Sequence, residues 1–226
     1  DLSYNLSFPT LATVVKYPFS SRDGNIKKDP NVCIRKYGFF QSEKDKFQDI
    51  WQHLGITTNA RYPLTYVLEA ADDIAYSAND LEDGVRKCII NSGTFLNKLE
   101  NYINENNISD DDLLKVVYNK CIEIKKKDEA GIENCIIELF RIEAHSKMIE
   151  ATVEAFIDDE NYNKIMEGTF NSELLEKSKA KNIRKFFSDF AHKDVFSNKD
   201  VLKLELMGEE VIKGLLNKFF IIVDVD

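Results

Sequence analysis

Asp72, Tyr76 and Asp80 recur four positions apart in the 226-residue chain. Four residues turn an α-helix by about 400°, so the three project from nearly the same side, about one turn apart. A carboxylate placed this way can hold a cation or accept a hydrogen bond from a hydroxyl. A metal ion would satisfy Asp72, and a sugar hydroxyl would satisfy Asp80. A row of acids on a helix is also the ordinary composition of a solvated face. The small neighbours Ala70, Ala71, Ala75, Ser77 and Ala78 argue for the first reading, because they suit a helix crowded on several sides. The acids are then expected between packed elements, where a carboxylate is costly unless it meets a cation or hydrogen-bond donors.

The element that must carry these residues is the stretch Pro63–Lys87, which has the composition of one long helix. Pro63 suits a first turn, where a missing N–H costs nothing. Leu64, Leu68, Ala71, Ala75, Ala78 and Leu81 recur at the i+3/i+4 spacing of a buried stripe, and they are the predicted inward face.

The run Ala71-Asp72-Asp73-Ile74-Ala75-Tyr76, followed by Asp80 and Leu81-Glu82-Asp83, resembles the last metal-ligand helix of the HD-domain deoxynucleoside triphosphate triphosphohydrolases, and within them the dGTPase branch. Two further segments resemble the same family: Lys16-Tyr17-Pro18-Phe19 and Arg35-Lys36-Tyr37-Gly38-Phe39-Phe40. The resemblance implies an all-α, HD-domain-type helical bundle. It implies that Asp72 is the final ligand of an H…HD…D metal site, that Tyr76 contacts substrate, and that Asp80 binds the deoxyribose 3′-hydroxyl. Lys16, Tyr17 and Lys36 would contact the triphosphate. Asp73 falls at a variable position and receives no role. The implied reaction is attack of water on the α-phosphorus, releasing a deoxynucleoside and tripolyphosphate, with a divalent metal (Mg²⁺ or Mn²⁺, or another transition metal) as cofactor. A homo-oligomer is implied as well. The physics of the phosphate contacts is general: a triphosphate carries ~4 negative charges and needs cations held by rigid neighbours, and aromatics flank both lysines. A Lys in a loop is otherwise most often simply exposed.

Composition limits the alternatives. The chain is 43% hydrophobic, enough to build a core, and no run approaches the ~20 apolar residues of a membrane span. A net charge of −9 argues against a general nucleic-acid surface. It also requires local Lys and Arg to hold any polyanion. Cys33, Cys88, Cys121 and Cys135 form no CxxC pair, which fits free thiols in a reducing cytoplasm. The opening DLSYNLSFPT has neither the basic region nor the apolar core of a signal peptide, and no initiator Met.

Along the chain, residues 10–16 are expected to form a short helix ended by Tyr17-Pro18. Asp23-Gly24 and Asp29-Pro30 read as turns. Ser42 is the expected N-cap of Glu43–His53, with Gly55 just past its end. His53 is favoured there by the helix dipole. Arg61 either faces a phosphate or lies on the surface. Helices are then predicted over Phe95–Asn106, Leu113–Lys126, Ile132–Ile157 (after Gly131), Leu174–Phe190 and Val201–Phe220. Ile136, Leu139, Ile142, Met148 and Val153 are expected to point inward, and Asn198 to cap the last helix. Asp158–Thr169 is polar and turn-rich, a loop or a short hairpin. His145 reads as structural, and Lys125-Lys126-Lys127 as a solvated helix end. Residues 1–90 are assigned to the substrate-binding part of the catalytic core and 91–226 to a helical region packed on it, with Asp128–Ala130 and Asp158–Thr169 as the candidate boundaries.

None of the three histidines, His53, His145 and His192, precedes an Asp. Hydrolytic metal sites gather several ligands, so the chain is expected to be the C-terminal portion of a longer enzyme. Two other readings stay open: another HD-superfamily phosphohydrolase, and a non-catalytic helical module that binds nucleotide or regulates.

Overall fold

The computed structural model describes residues 5–20, 22, 33, 36–57, 59–127 and 135–223. The expected turns at Asp23-Gly24 and Asp29-Pro30, the divider Gly131 and the candidate boundary Asp128–Ala130 lie outside the described residues. The fold is all-α, as the sequence implies. Among the described residues there is no strand, only an isolated parallel bridge between Ser20 and Phe39.

Helix α1 is Phe8–Val14, capped by Ser7, whose side chain accepts from the Thr10 N–H. It therefore starts two residues earlier than expected. A 3₁₀ turn over Gln41–Glu43, closed by a bond from the Phe40 N–H to Glu43 Oε2 at 3.1 Å, takes the place of the Ser42 cap and leads into α2, Lys44–His53. Gly55 follows with φ +63°, the left-handed position that ends helices. Helix α3, Pro63–Arg86, is the long element predicted. Then come α4 (Ser92–Glu105), α5 (Leu113–Lys127), α6 (Ile136–Ile157) and α7 (Asp159–Met166). Helices α8 (Leu174–Lys177) and α9 (Lys181–Phe190) lead through a π-helical turn, Ala191–Phe196, to α10 (Lys199–Val223).

Helix α7 corrects the loop or hairpin expected over Asp158–Thr169. Asp158 caps it by accepting from the Asn161 N–H. Asp159 and Glu160 occupy its first turn, where the dipole favours acids, and Lys164 pairs with Glu160 at 2.6 Å. Polar composition alone concealed a capped, dipole-matched helix. The single helix expected over Leu174–Phe190 is two. Ser178 interrupts it with extended backbone, and its hydroxyl both donates to the Leu175 carbonyl and accepts from the Ala180 N–H.

The core is centred on an aromatic cluster. Phe95 of α4 meets Phe140 of α6 edge-on at 5.2 Å and Phe190 of α9 at 5.5 Å, and Phe186 of α9 packs against both Phe95 and Phe140. Edge-on pairs of this kind contribute ~0.5–1.5 kcal/mol each beyond the area they bury. Of the residues expected inward on α6, Ile136 and Met148 are fully buried, while Ile142 and Val153 are exposed.

Helix α3 is rotated relative to the expected stripe. Its inward residues are Thr65, Tyr66, Glu69, Ala70, Ile74 and Leu81. Of the predicted face Leu81 is buried, whereas Leu64, Leu68, Ala71 and Ala75 are exposed. The cause is that each polar group on the buried side finds a partner. The Thr65 hydroxyl donates to the Thr13 carbonyl at 3.0 Å. The Tyr66 hydroxyl donates to the Phe170 carbonyl at 2.6 Å. Glu69 binds a buried arginine. Polar side chains so satisfied cost little to bury, and the aliphatic stripe stays outside.

Candidate active site

The segments bearing Lys16 and Lys36 are distant in sequence and adjacent in space. Just past α1, the backbone tightens: the Phe19 N–H donates to the Tyr17 carbonyl at 2.8 Å, and the Gly38 N–H donates to the Phe19 carbonyl at 3.0 Å. Gly38 is required here, because a Cβ at this position would lie 1.9 Å from the Tyr17 carbonyl oxygen. Phe39 continues this anchor. It stacks on Phe47 at 4.1 Å, and Phe47 on Trp51 at 4.0 Å. The Trp51 indole N–H donates to the Ala60 carbonyl at 3.0 Å, which fixes the residue before Arg61.

Three cations surround the Tyr17 ring as a result: Lys16 at 5.9 Å, Lys36 at 6.0 Å and Arg61 at 5.3 Å from its centroid. Arg61 also lies 5.4 Å from the Tyr66 ring. Burial drives the Tyr66 hydroxyl's pKa well above its ordinary value, with Cys33 beside it adding to the rise, so Tyr66 stays a neutral donor. Arg61 is neither on the surface nor open to a phosphate. Its side chain is wholly buried and pairs with Glu69 at 2.7 Å. The other oxygen of Glu69 holds Lys16 at 3.0 Å. Partial burial works against the Lys16 cation, but the hydrogen bond and charge of Glu69 outweigh it and raise its pKa. Lys16 keeps 37% of its side chain exposed and Lys36 is exposed, so both remain able to meet a ligand.

Lys16 and Asp72 face the same groove, about 260 Å³, lined also by Thr13, Val14, Thr65, Leu68 and Glu69. Tyr76 and Asp80 continue along α3 away from this groove, Tyr76 exposed and Asp80 half-buried. Asp72 is exposed, which corrects the expectation that packed elements enclose it: the whole Leu64–Ala75 side of α3 is open. Asp80 is different. Its pKa is raised by burial and by Asp83, and lowered again by His192, so the C-terminal half of α3 sits under the turn that follows α9. Asp73 binds Arg184 of α9 at 3.1 Å, and Arg184 also holds Glu173 at 2.5 Å; its role is to join helices. His145 lies against the backbone of Ile74, consistent with a structural role. Glu69 is the residue that sequence reasoning missed, because a Glu amid Leu68 and Ala70 carries no local mark of burial.

Among the described residues no group of three or more His, Cys, Asp or Glu side chains is close enough together to hold a metal ion. Asp72 thus shares its groove with Lys16 and with Glu69, whose two oxygens are taken by Lys16 and Arg61, and the described residues do not amount to a divalent-ion site by themselves.

No protein-family model matches the chain. Curated proteins do. It is 35% identical over 219 residues to a deoxyguanosinetriphosphate triphosphohydrolase-like protein of Listeria monocytogenes, covering 95% of this chain and 44% of the relative. It is 31% identical over 220 residues to the deoxyguanosinetriphosphate triphosphohydrolase of Yersinia enterocolitica, covering 96% and 43%. A deoxyguanosinetriphosphate triphosphohydrolase-like protein of Synechocystis is 30% identical over 223 residues, covering 95% and 46%. The chain thus spans less than half the length of the curated relatives it matches. These matches extend well past the motifs at Lys16, Lys36 and Asp72 and bear out the resemblance those motifs carry: the chain is a homologue of the deoxyguanosinetriphosphate triphosphohydrolases, related to them along nearly its whole length.

Proposed function

We propose that the chain forms the substrate-binding part of a hydrolase that converts a deoxynucleoside triphosphate, dGTP foremost, into a deoxynucleoside and tripolyphosphate. The observation that carries this reading is the gathering of Lys16 and Lys36 at the Tyr17 ring, with buried Arg61 behind it, and Lys16 lining the same groove as Asp72. Cations held by a rigid aromatic and by buried Glu69 suit a phosphate chain. Lys16, just past α1, stands beside Asp72 of α3 in this groove, and the acid Asp80 lies about two turns further along α3. A ligand with a polyanionic end and a hydroxyl-bearing end fits only one way round.

In this reading Lys16 and Lys36 hold the phosphates and Tyr17 keeps the two lysines apart. Tyr76 packs on the nucleoside, and Asp80 accepts a hydrogen bond from the sugar 3′-hydroxyl. Asp72 is one ligand of a divalent ion such as Mg²⁺ or Mn²⁺, which would supply charge neutralisation at the phosphate. Residues 1–90 carry the site and residues 91–226 brace it. The protein acts in the cytoplasm and as a homo-oligomer.

The test is release of tripolyphosphate from dGTP by the intact protein bearing this sequence, with Mg²⁺ or Mn²⁺, beside its Asp72→Ala variant. Release that vanishes in the variant supports the reading. If all four dNTPs are inert, a helical binding or regulatory module is the better account. If nucleotide monoesters are hydrolysed and triphosphates are not, the chain serves a different phosphohydrolase.

A further inference from the structure

Three charges of alternating sign are joined behind the groove. Lys16 keeps part of its side chain open, Glu69 is buried beside it, and Arg61 is wholly enclosed. The carboxylate divides its oxygens between the two cations. Oε1 holds the Lys16 ammonium at 3.0 Å, and Oε2 accepts from Arg61 Nη1 at 2.7 Å. The guanidinium is also fixed by its rings, 5.3 Å from the Tyr17 centroid and 5.4 Å from that of Tyr66. A flat, weakly hydrated guanidinium suits such a place better than an ammonium does.

The division decides what Lys16 can offer an anion. A lysine paired with a carboxylate of its own is a neutral unit, and a phosphate gains little from it. Here Arg61 and Glu69 cancel each other, and Lys16 is left as one net positive charge. It is held by a carboxylate without being neutralised by it. The surroundings give this cancellation weight. Asp72 adds a negative charge to the same groove, and the chain as a whole carries −9. Asp73, whose charge also reaches Lys16, is itself engaged by Arg184 at 3.1 Å. Because Arg61 is enclosed, it cannot leave Glu69 to meet a ligand.

We propose that Arg61 is a positioning residue for the phosphate chain: it stays out of contact with the ligand and cancels the charge of Glu69, so that Glu69 can hold Lys16 in the groove while Lys16 keeps its full charge for the phosphates. The proposal rests on the proposed function, in which Lys16 meets the triphosphate. Charges in a partly buried place act on one another with little screening, so a cation that touches no substrate still sets the affinity. The contact it supports is made to bound substrate and to transition state alike, and its loss falls on KM rather than on kcat.

The test is the affinity of the intact protein bearing this sequence for inorganic tripolyphosphate, at a temperature where circular dichroism shows each variant folded. Arg61→Gln, which can still donate to Glu69 but carries no charge, should weaken binding about ten-fold at low salt, the scale of a lost charge-assisted hydrogen bond. The difference should narrow as salt is raised. With dGTP as substrate the same variant should raise KM by the same factor and leave kcat near that of the parent. Arg61→Lys loses the planar fork but keeps the charge, and should bind more like the parent than like Arg61→Gln. Arg61→Met with Glu69→Leu removes the buried pair whole and leaves Lys16 its net charge. It should bind more tightly than Lys16→Ala, and this comparison decides the matter even where Arg61→Gln does not fold. Parent-like binding by Arg61→Gln, a loss indifferent to salt, Arg61→Lys as weak as Arg61→Gln, or a double variant no better than Lys16→Ala would each overturn the role of Arg61 and leave the proposed function standing. A parent protein that neither binds tripolyphosphate nor releases it from dGTP would overturn the proposed function, and the role of Arg61 with it.

Discussion

Arg61 and Glu69 meet at 2.7 Å with both side chains shut off from solvent, and Glu69 reaches Lys16 with its second oxygen. The carboxylate therefore does two things: it neutralises a buried cation and aims a half-exposed one. Removing one partner of a buried pair leaves an uncompensated charge, at a cost of ~3–5 kcal/mol. Glu69→Ala should accordingly lower the melting temperature by about 10 °C, at roughly 2–4 °C per kcal/mol for a chain of this size. The double variant Glu69→Leu with Arg61→Met, which removes both charges and keeps bulk, should regain most of that loss. A double variant as unstable as the single one would show that packing, not charge, dominates at Arg61.

The same geometry predicts how an anion is held. Lys16→Ala and Lys36→Ala should each weaken binding of inorganic tripolyphosphate about ten-fold or more, since a hydrogen bond to a charged group contributes ~1.5–3 kcal/mol. Raising the salt concentration should narrow the difference, because exposed charges are screened within ~10 Å at 0.1 M. The chain's single tryptophan, Trp51, lies in the aromatic stack that supports the Lys36 segment, so its fluorescence can report the titration. Equal affinities for the parent chain and both variants would remove these lysines from the site.

Gly38 is the point where the two lysine segments touch. Alanine there would drive its Cβ to 1.9 Å from the Tyr17 carbonyl oxygen, and backbone cannot yield as a flexible side chain does. Gly38→Ala should cost about 1–3 kcal/mol, the usual range for overpacking. It should also weaken tripolyphosphate binding as much as the loss of a lysine, because Lys36 moves away from Tyr17. A variant of unchanged affinity would mean that the two segments bind independently.

The helices were legible in the sequence largely because their ends are set locally. Pro63 opens α3, Asp112 accepts from the Leu114 N–H at the start of α5, and Asn198 accepts from the Asp200 N–H at the start of α10. Such signals need only neighbours. The inward face of α3 was not legible, because the burial of Thr65, Tyr66 and Glu69 depends on Thr13, Phe170 and Arg61. The first two partners lie 52 and 104 residues away in sequence. Helical periodicity counts a threonine or a glutamate as outward and cannot register a partner supplied by the fold. Lys16, Lys36 and Asp72 could be picked out by motif, whereas the ring that gathers the lysines and the buried pair behind it could not. A surface or phosphate-facing place for Arg61 fails for the same reason, since its partner Glu69 is supplied by the fold.

His145 gives the fold a pH dependence of known sign. Burial lowers its pKa below the ordinary value of 6.5, and Arg141 lowers it further. A backbone hydrogen bond at Ile74 and the charge of Glu82 pull partly the other way. Its Nε2 is buried without a hydrogen-bond partner, a place where an added proton would have nothing to bind. The folded state therefore prefers neutral His145 more strongly than the unfolded chain does. Its contribution to stability is fully present above pH 6.5 and is lost as the pH falls from there through the lower folded-state value, because over that window the unfolded chain binds more protons. The melting temperature of the chain should fall between pH 7 and pH 5, and His145→Gln should flatten that fall while leaving the values above pH 7.5 shifted by a constant amount. A variant whose melting temperature drops as steeply as the parent's would assign the acid sensitivity to other groups, and a steeper drop would reverse the sign argued for His145.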